Sequence, residues 1–185
     1  MKLVPILLAT VSTAIMPQLT LASENLNDKV HTFSFETGFG NSDYDKGVSS
    51  DDGVAHASFR YSYEILPTYE VELGYTVGSD VDDFLFLGLF EDVELDYEAF
   101  TLSAQKSWSI SKRNSLYAKL GTSSFDYEYT ENDKVLVDDS GMGFVAGVGW
   151  QLRFPSGFGL SAGFEYHQMK DLKVKAYTLG MNYKF

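Results

Sequence analysis

From Val30 onward, apolar residues alternate with small or polar ones along most of the chain. Successive side chains of a β-strand point to opposite faces, so a period of two marks strands with one apolar and one polar face. Phe33, Phe35 and Phe39 form the first apolar row, and Ala55, Ala57, Phe59, Tyr61 and Tyr63 the second. Tyr69, Val71, Leu73, Tyr75 and Val77 follow, then Phe100, Leu102 and Ala104, then Leu116, Ala118 and Leu120. Three rows close the chain: Met142 to Leu152, Phe158 to Tyr166, and Tyr177 to Phe185, each on the even- or odd-numbered positions alone. Eight strands of about ten residues are enough to cross a bilayer when tilted. One row breaks phase. After Leu120 the apolar set jumps to Phe125, Tyr127 and Tyr129, which predicts a bulge or a strand rising beyond the membrane.

The connections alternate in length. Residues 41–53, 79–95, 130–140 and 168–173 join strands on one side; Ile65–Thr68, Ser107–Asn114 and Pro155–Ser156 join them on the other. Short turns on one side and longer loops on the other are the outer-membrane pattern. A soluble sandwich would also alternate. The membrane reading is favoured by a nearly unbroken apolar face and by Tyr63, Tyr69, Trp108, Trp150, Phe158 and Tyr183, which gather near the short turns as an aromatic girdle. The expected fold is therefore all-β: an eight-stranded antiparallel up-and-down transmembrane β-barrel.

The first residues are of another kind. Lys2 precedes a mostly apolar stretch, Leu3 to Leu21, and Thr20-Leu21-Ala22 places small residues at the −3 and −1 positions of a cleavage site. This predicts a signal peptide over 1–22 and a barrel over 23–185. A membrane anchor is the rival reading, opposed by Pro17-Gln18 and by the lack of stop-transfer charges. Cleavage after Ala22 removes one charged residue, Lys2, and moves the net charge from −12 to −13. That balance argues against a nucleic-acid partner, whose phosphates need a basic face. With no cysteine, disulfides, thiolate metal sites and a lipidated N-terminal Cys are excluded.

The final strand, Tyr177-Thr-Leu-Gly-Met-Asn-Tyr-Lys-Phe185, resembles the assembly signal of bacterial outer-membrane barrels, with Tyr183 and Phe185 as its terminal aromatics. The stretch Gly141 to Phe158 resembles the sixth strand, tight turn and seventh strand of small eight-stranded barrels of the OmpX/Ail type and the OmpA-like transmembrane domain. The resemblance spans Val30 to Phe185. It implies an outer-membrane location in a Gram-negative cell and contact with outer-membrane lipid and lipopolysaccharide. It also implies handling by the barrel-assembly machinery through the C-terminal strand. The family hosts adhesins and structural proteins, so the expected role is non-enzymatic: surface contact or envelope integrity. With 185 residues, a periplasmic peptidoglycan-binding domain is not expected beside the barrel.

The polar face carries charge. Glu36, Arg60 and Glu72 fall at similar depth on three successive strands, and hairpin counting puts Arg60 opposite Glu72 or one pair away. Lys119 and Arg153 add positive charge; Glu64, Glu70 and Glu165 add negative. Buried charges need partners, so Glu36, Arg60, Glu72 and Lys119 are expected to form a salt-bridge plug, with a narrow porin-like channel as the alternative. His31, His56 and His167 are the histidines; His56 and Ser58 share a face. They face the lumen, whereas a lipid A-modifying enzyme needs its catalytic set toward lipid. No catalytic residue, metal or cofactor is expected.

The outer loops are acidic. Loop one holds Asp43, Asp45, Asp51 and Asp52; loop three holds Glu131, Asp133, Asp138 and Asp139, beside Asp126 and Glu128; loop four carries Lys170, Lys173 and Lys175 around Asp171. Loop two combines Asp80, Asp82, Asp83, Glu91, Asp92 and Glu94 with an apolar run that includes Phe84, Phe86 and Phe90. Oxygen-rich clusters suit divalent cations, here as bridges to lipopolysaccharide phosphates. The apolar run suits a hairpin extension or a contact with a host or surface partner.

Overall fold

A computed structural model describes residues 30–44, 53–80, 93–131 and 134–185. The strands are β1 His31–Tyr44, β2 Gly53–Leu66, β3 Tyr69–Asp80, β4 Val93–Ser109, β5 Asn114–Glu131, β6 Lys134–Arg153, β7 Phe158–Met169 and β8 Leu172–Lys184. Each pairs antiparallel with the next, and β8 returns to β1, closing an eight-stranded barrel. Closure satisfies the backbone around the ring, the condition for a sheet in hydrocarbon. At the short-turn end the seam is tied by His31 N–H to Phe185 C=O at 3.1 Å and Phe185 N–H to His31 C=O at 2.8 Å. The Phe185 ring stacks on Phe33 and on the His31 imidazole.

The apolar rows point outward. Phe59, Phe100, Leu120 and Leu179 are each more than 60% exposed, as expected of side chains that face hydrocarbon and not a packed core. A sandwich would bury them against a second sheet. On β8 the outward row from Tyr177 to Phe185 covers roughly 26 Å of strand. The girdle aromatics Tyr63, Tyr69, Trp108, Trp150, Phe158 and Tyr183 sit toward the short-turn end, and the Trp150 indole N–H donates to Asn114 Oδ1 at 3.1 Å.

Gly157 shows why one tight turn has its sequence. It sits in the β6–β7 connection with φ of +96°, and a Cβ there would lie 2.3 Å from the Lys184 carbonyl oxygen. Both the backbone angle and the close approach require glycine.

Two expectations about β5 and β6 are corrected. No bulge follows Leu120: β4–β5 and β5–β6 keep register through this region, and the register shift lies higher, between Tyr129 and Thr130. Nor is 130–140 a loop, since the ladder continues to Glu131 opposite Lys134. Phe125 and Tyr127 are in phase with Tyr117 and Lys119, all pointing inward. What changes is the environment. Above Phe100, Ser124 and Tyr177, outward positions become charged (Asp96, Glu98, Asp126, Glu128, Lys175) and inward ones apolar. Leu95, Tyr97, Ala99, Phe125, Tyr127, Met169, Leu172, Val174 and Val54 form a buried apolar cluster there. Where the barrel leaves hydrocarbon for water, the favoured face for apolar side chains reverses. The strand-rising alternative accounts for the phase jump.

Candidate functional site

Two features stand out: the filled lumen and the sheet that rises above it. Register places Arg60 opposite Ser34 and Gly74, and Glu72 opposite Ser62, on the same face but two pairs from Arg60, one more than hairpin counting gives. Glu36 lies opposite Ser58 on one side and Gly180 on the other. The Arg60 guanidinium binds Glu36, reaches Glu165 Oε2 at 2.7 Å, and places Nε 3.6 Å from Glu72 Oε1. Lys119 Nζ lies 3.3 Å from Glu72 Oε1 and 2.5 Å from Glu165 Oε1. Glu36, Arg60, Glu72 and Lys119 therefore meet, all buried. A planar fork of donors suits Arg60 to several carboxylates at once.

Sequence reasoning counted Glu165 as one more negative charge in the lumen. Barrel closure makes it the hub, joined to Arg60, Lys119 and His167, whose Nε2 is 3.2 Å from Glu165 Oε2. Serine hydroxyls complete the cluster: Ser62 and Ser103 donate to Glu72 at 3.4 and 3.3 Å, and Ser161 to Glu36 at 3.5 Å. Space comes from small neighbours. A Cβ on Gly180 would lie 2.4 Å from Glu36 Cγ, and one on Gly147 would lie 3.0 Å from Lys119 Cε.

Just above this layer, His56 and His167 lie with ring centroids 6.0 Å apart, and His56 Nδ1 shares a 3.1 Å hydrogen bond with the Tyr97 hydroxyl. Ser58 bonds Thr76 at 2.8 Å, not a histidine. The apolar cluster closes the interior above. Nearer the short turns, Lys184 pairs with Glu64, and Gln105 donates to Glu70 at 3.3 Å. Arg153 is also inward, without an ion pair to a described residue. His31 is at the rim, bonded through Nδ1 to the Tyr61 hydroxyl at 2.7 Å. No group of three or more metal-binding side chains occurs among the described residues.

At the opposite end, β4, β5 and β6 outrun their neighbours. β6 pairs with β7 only from Phe144 to Arg153, and with β5 from Lys134 to Leu152. Thus Lys134–Gly143 has a described partner on one edge alone. The outward face of this raised sheet is acidic, with Asp96 opposite Glu128, Glu128 opposite Asp138, and Glu98 opposite Asp126. Asp80 accepts the Leu95 amide N–H at 3.1 Å; Asp82, Asp83, Phe84, Phe86 and Phe90 lie outside the described residues. Lys175 bonds Asp43 at 2.7 Å between β8 and β1, and Lys170 of the β7–β8 turn pairs with Asp139 on β6. The ammonium of Lys175 holds the exposed Asp43 carboxyl below its ordinary value, and Asp43 in turn raises Lys175.

This geometry defines a class, the small closed barrel with an apolar outside and a charged interior. The chain belongs to the outer membrane protein beta-barrel domain family, whose model matches residues 6–185. The family places the protein in the outer membrane. Among solved structures it is similar to Ail, the attachment invasion locus protein of Yersinia pestis, at 21% identity over 85% of this chain and 99% of that one, with a TM-score of 0.58. It is also similar to Neisserial surface protein A, at 11% identity over 84% and 96% with a TM-score of 0.66. A third is OprG of Pseudomonas aeruginosa, at 14% identity over 85% and 97% with a TM-score of 0.54. These likenesses carry the fold alone. No curated protein matches the sequence.

Proposed function

We propose that the protein is a non-enzymatic surface barrel whose raised β4–β5–β6 sheet makes contacts outside the cell, on a lumen plugged by Glu36, Arg60, Glu72, Lys119 and Glu165. The observation that carries this reading is the sheet itself: Lys134–Gly143 offers an edge with no described partner, and unpaired strand edges are templates for another chain. By its sequence, loop two, with Asp80, Asp82, Asp83, Phe84, Phe86 and Phe90, supplies further acidic and apolar contact residues. The acids favour a basic partner, or divalent cations bridging to lipopolysaccharide phosphates. Ail has been crystallised in complex with the heparin analogue sucrose octasulfate; the carboxylates of the sheet here disfavour a polyanion. Tyr183 and Phe185 serve as the assembly signal, and residues 1–22 as the export signal. The test compares adhesion of cells displaying the intact protein with cells displaying a deletion of 81–92 or an edge variant, Ser140→Pro, to host-cell and abiotic surfaces. Equal adhesion of all three, at equal surface level, sinks the contact reading.

The channel and the lipid A enzyme are the competing readings. The ion pairs and the apolar cluster above them both oppose conduction. Steady, reproducible conductance of the wild type in planar bilayers would favour the channel. Lipid A mass spectra that differ with and without the protein would favour the enzyme.

A further inference from the structure

The chain is strongly acidic, yet one short-turn rim is basic. From Lys106 to Tyr117 it carries Lys106, Lys112 and Arg113 and no acidic residue. Lys112 and Arg113 are exposed in the β4–β5 turn. Lys106 points outward on β4, bonded to the Tyr69 hydroxyl, 3.8 Å from the centroid of that ring and 5.9 Å from that of Trp108. No described carboxylate lies within ion-pair distance of any of the three. Trp108 and Ile110 are exposed beside them, the amphipathic company found where hydrocarbon meets headgroups.

A path leads from this rim into the apolar belt. Along the β3–β4 seam, Tyr69 faces Lys106, then Val71 faces Ala104, Leu73 faces Leu102 and Tyr75 faces Phe100. At the far end of this seam Leu73, Tyr75 and Phe100 wall an outward groove of about 680 Å³ that continues across Phe59 and Phe33 to Met181 and Tyr183. Six residues of strand separate Lys106 from Phe100, roughly 20 Å. At a tilt of about 45° that is roughly 14 Å of depth, close to half of a hydrocarbon core about 30 Å thick. A headgroup at Lys106 therefore has its acyl chains level with the groove.

We propose that this rim and groove bind an anionic glycerophospholipid of the periplasmic leaflet, its phosphate held by Lys106, Lys112 and Arg113 and a tail lying along the β3–β4 seam. The short-turn end is the periplasmic one in this architecture. The three cations, none in an ion pair with a described carboxylate, select a negative headgroup. The Tyr69 ring holds Lys106 at the level of the phosphates, so less side-chain freedom is lost on binding.

Trp108 reports on the site. In a Trp150→Phe background it is the sole tryptophan. The full chain, folded into phosphatidylcholine vesicles, is titrated with brominated phosphatidylglycerol or with brominated phosphatidylcholine, and quenching of Trp108 is read. Heat-modifiable gel migration verifies folding of every variant. The expected preference for phosphatidylglycerol is about fivefold or more, the factor one well-placed cation contributes at an anionic lipid surface. Lys106→Gln, Lys112→Gln and Arg113→Gln together should abolish it, whereas Lys170→Gln with Lys173→Gln at the other end should leave it intact. Equal quenching by the two lipids, or a preference that survives the triple substitution, overturns the proposal.

Discussion

Replacing Arg60 with alanine removes a side chain that touches Glu36, Glu72 and Glu165 together. Opposite charges about 4 Å apart attract by about 4 kcal/mol at an effective dielectric near 20, and burial has already desolvated them. Breaking a buried pair while leaving its partner charged typically costs about 3–5 kcal/mol. The structure says where that cost falls. Without Arg60, Glu72 keeps Lys119 and two serines, and Glu165 keeps Lys119 and His167. Among the described residues Glu36 keeps only the Ser161 hydroxyl at 3.5 Å. Glu36 is thus the stranded charge, and Glu36→Gln in the Arg60→Ala background should recover more stability than Glu72→Gln does. Urea unfolding in lipid vesicles, run in both directions, measures these variants against Lys170→Ala, an exposed change expected to stay within about 0.5 kcal/mol. Equal stability of Arg60→Ala and wild type would refute the plug. So would a Glu36→Gln double variant no more stable than Arg60→Ala.

Gly157→Ala should destabilise the barrel by about 1–3 kcal/mol, since its positive φ and the Lys184 carbonyl both oppose a side chain; the same urea assay reads it. Met169→Ala or Leu172→Ala, within the apolar cluster, should each cost about 2–5 kcal/mol; a loss below 1 kcal/mol, about the worth of a single methylene, would mean that the upper interior is not packed. For the Asp43–Lys175 pair, the depressed Asp43 carboxyl adds stability above its ordinary value of 3.8, and that contribution is lost as pH falls through the folded value. Lys175, raised above 10.5, loses its part as pH climbs past that range. Carbon-detected NMR of Asp43 should therefore show a titration midpoint that rises in Lys175→Gln, and an unchanged midpoint would remove the pair.

The alternation of residues such as Tyr69, Val71, Leu73, Tyr75 and Val77 was enough to count eight strands and assign their faces, because a period of two is a local property of extended backbone. Counting through the single turn at 65–68 also put Arg60 near Glu72, one pair closer than the register has them, since register across a tight hairpin is nearly local but a shift between Glu64 and Leu66 moves it. Closure was not local. Glu165 is 105 positions from Arg60, and only the tilt and stagger of the closed ring bring β7 to face β2 across the lumen. The upper strands were half legible. The odd-numbered Phe125 and Tyr127 announced a change. A change of phase and a change of solvent leave the same mark in a sequence, and the unbroken register of β4, β5 and β6 shows that here it is the solvent that changes.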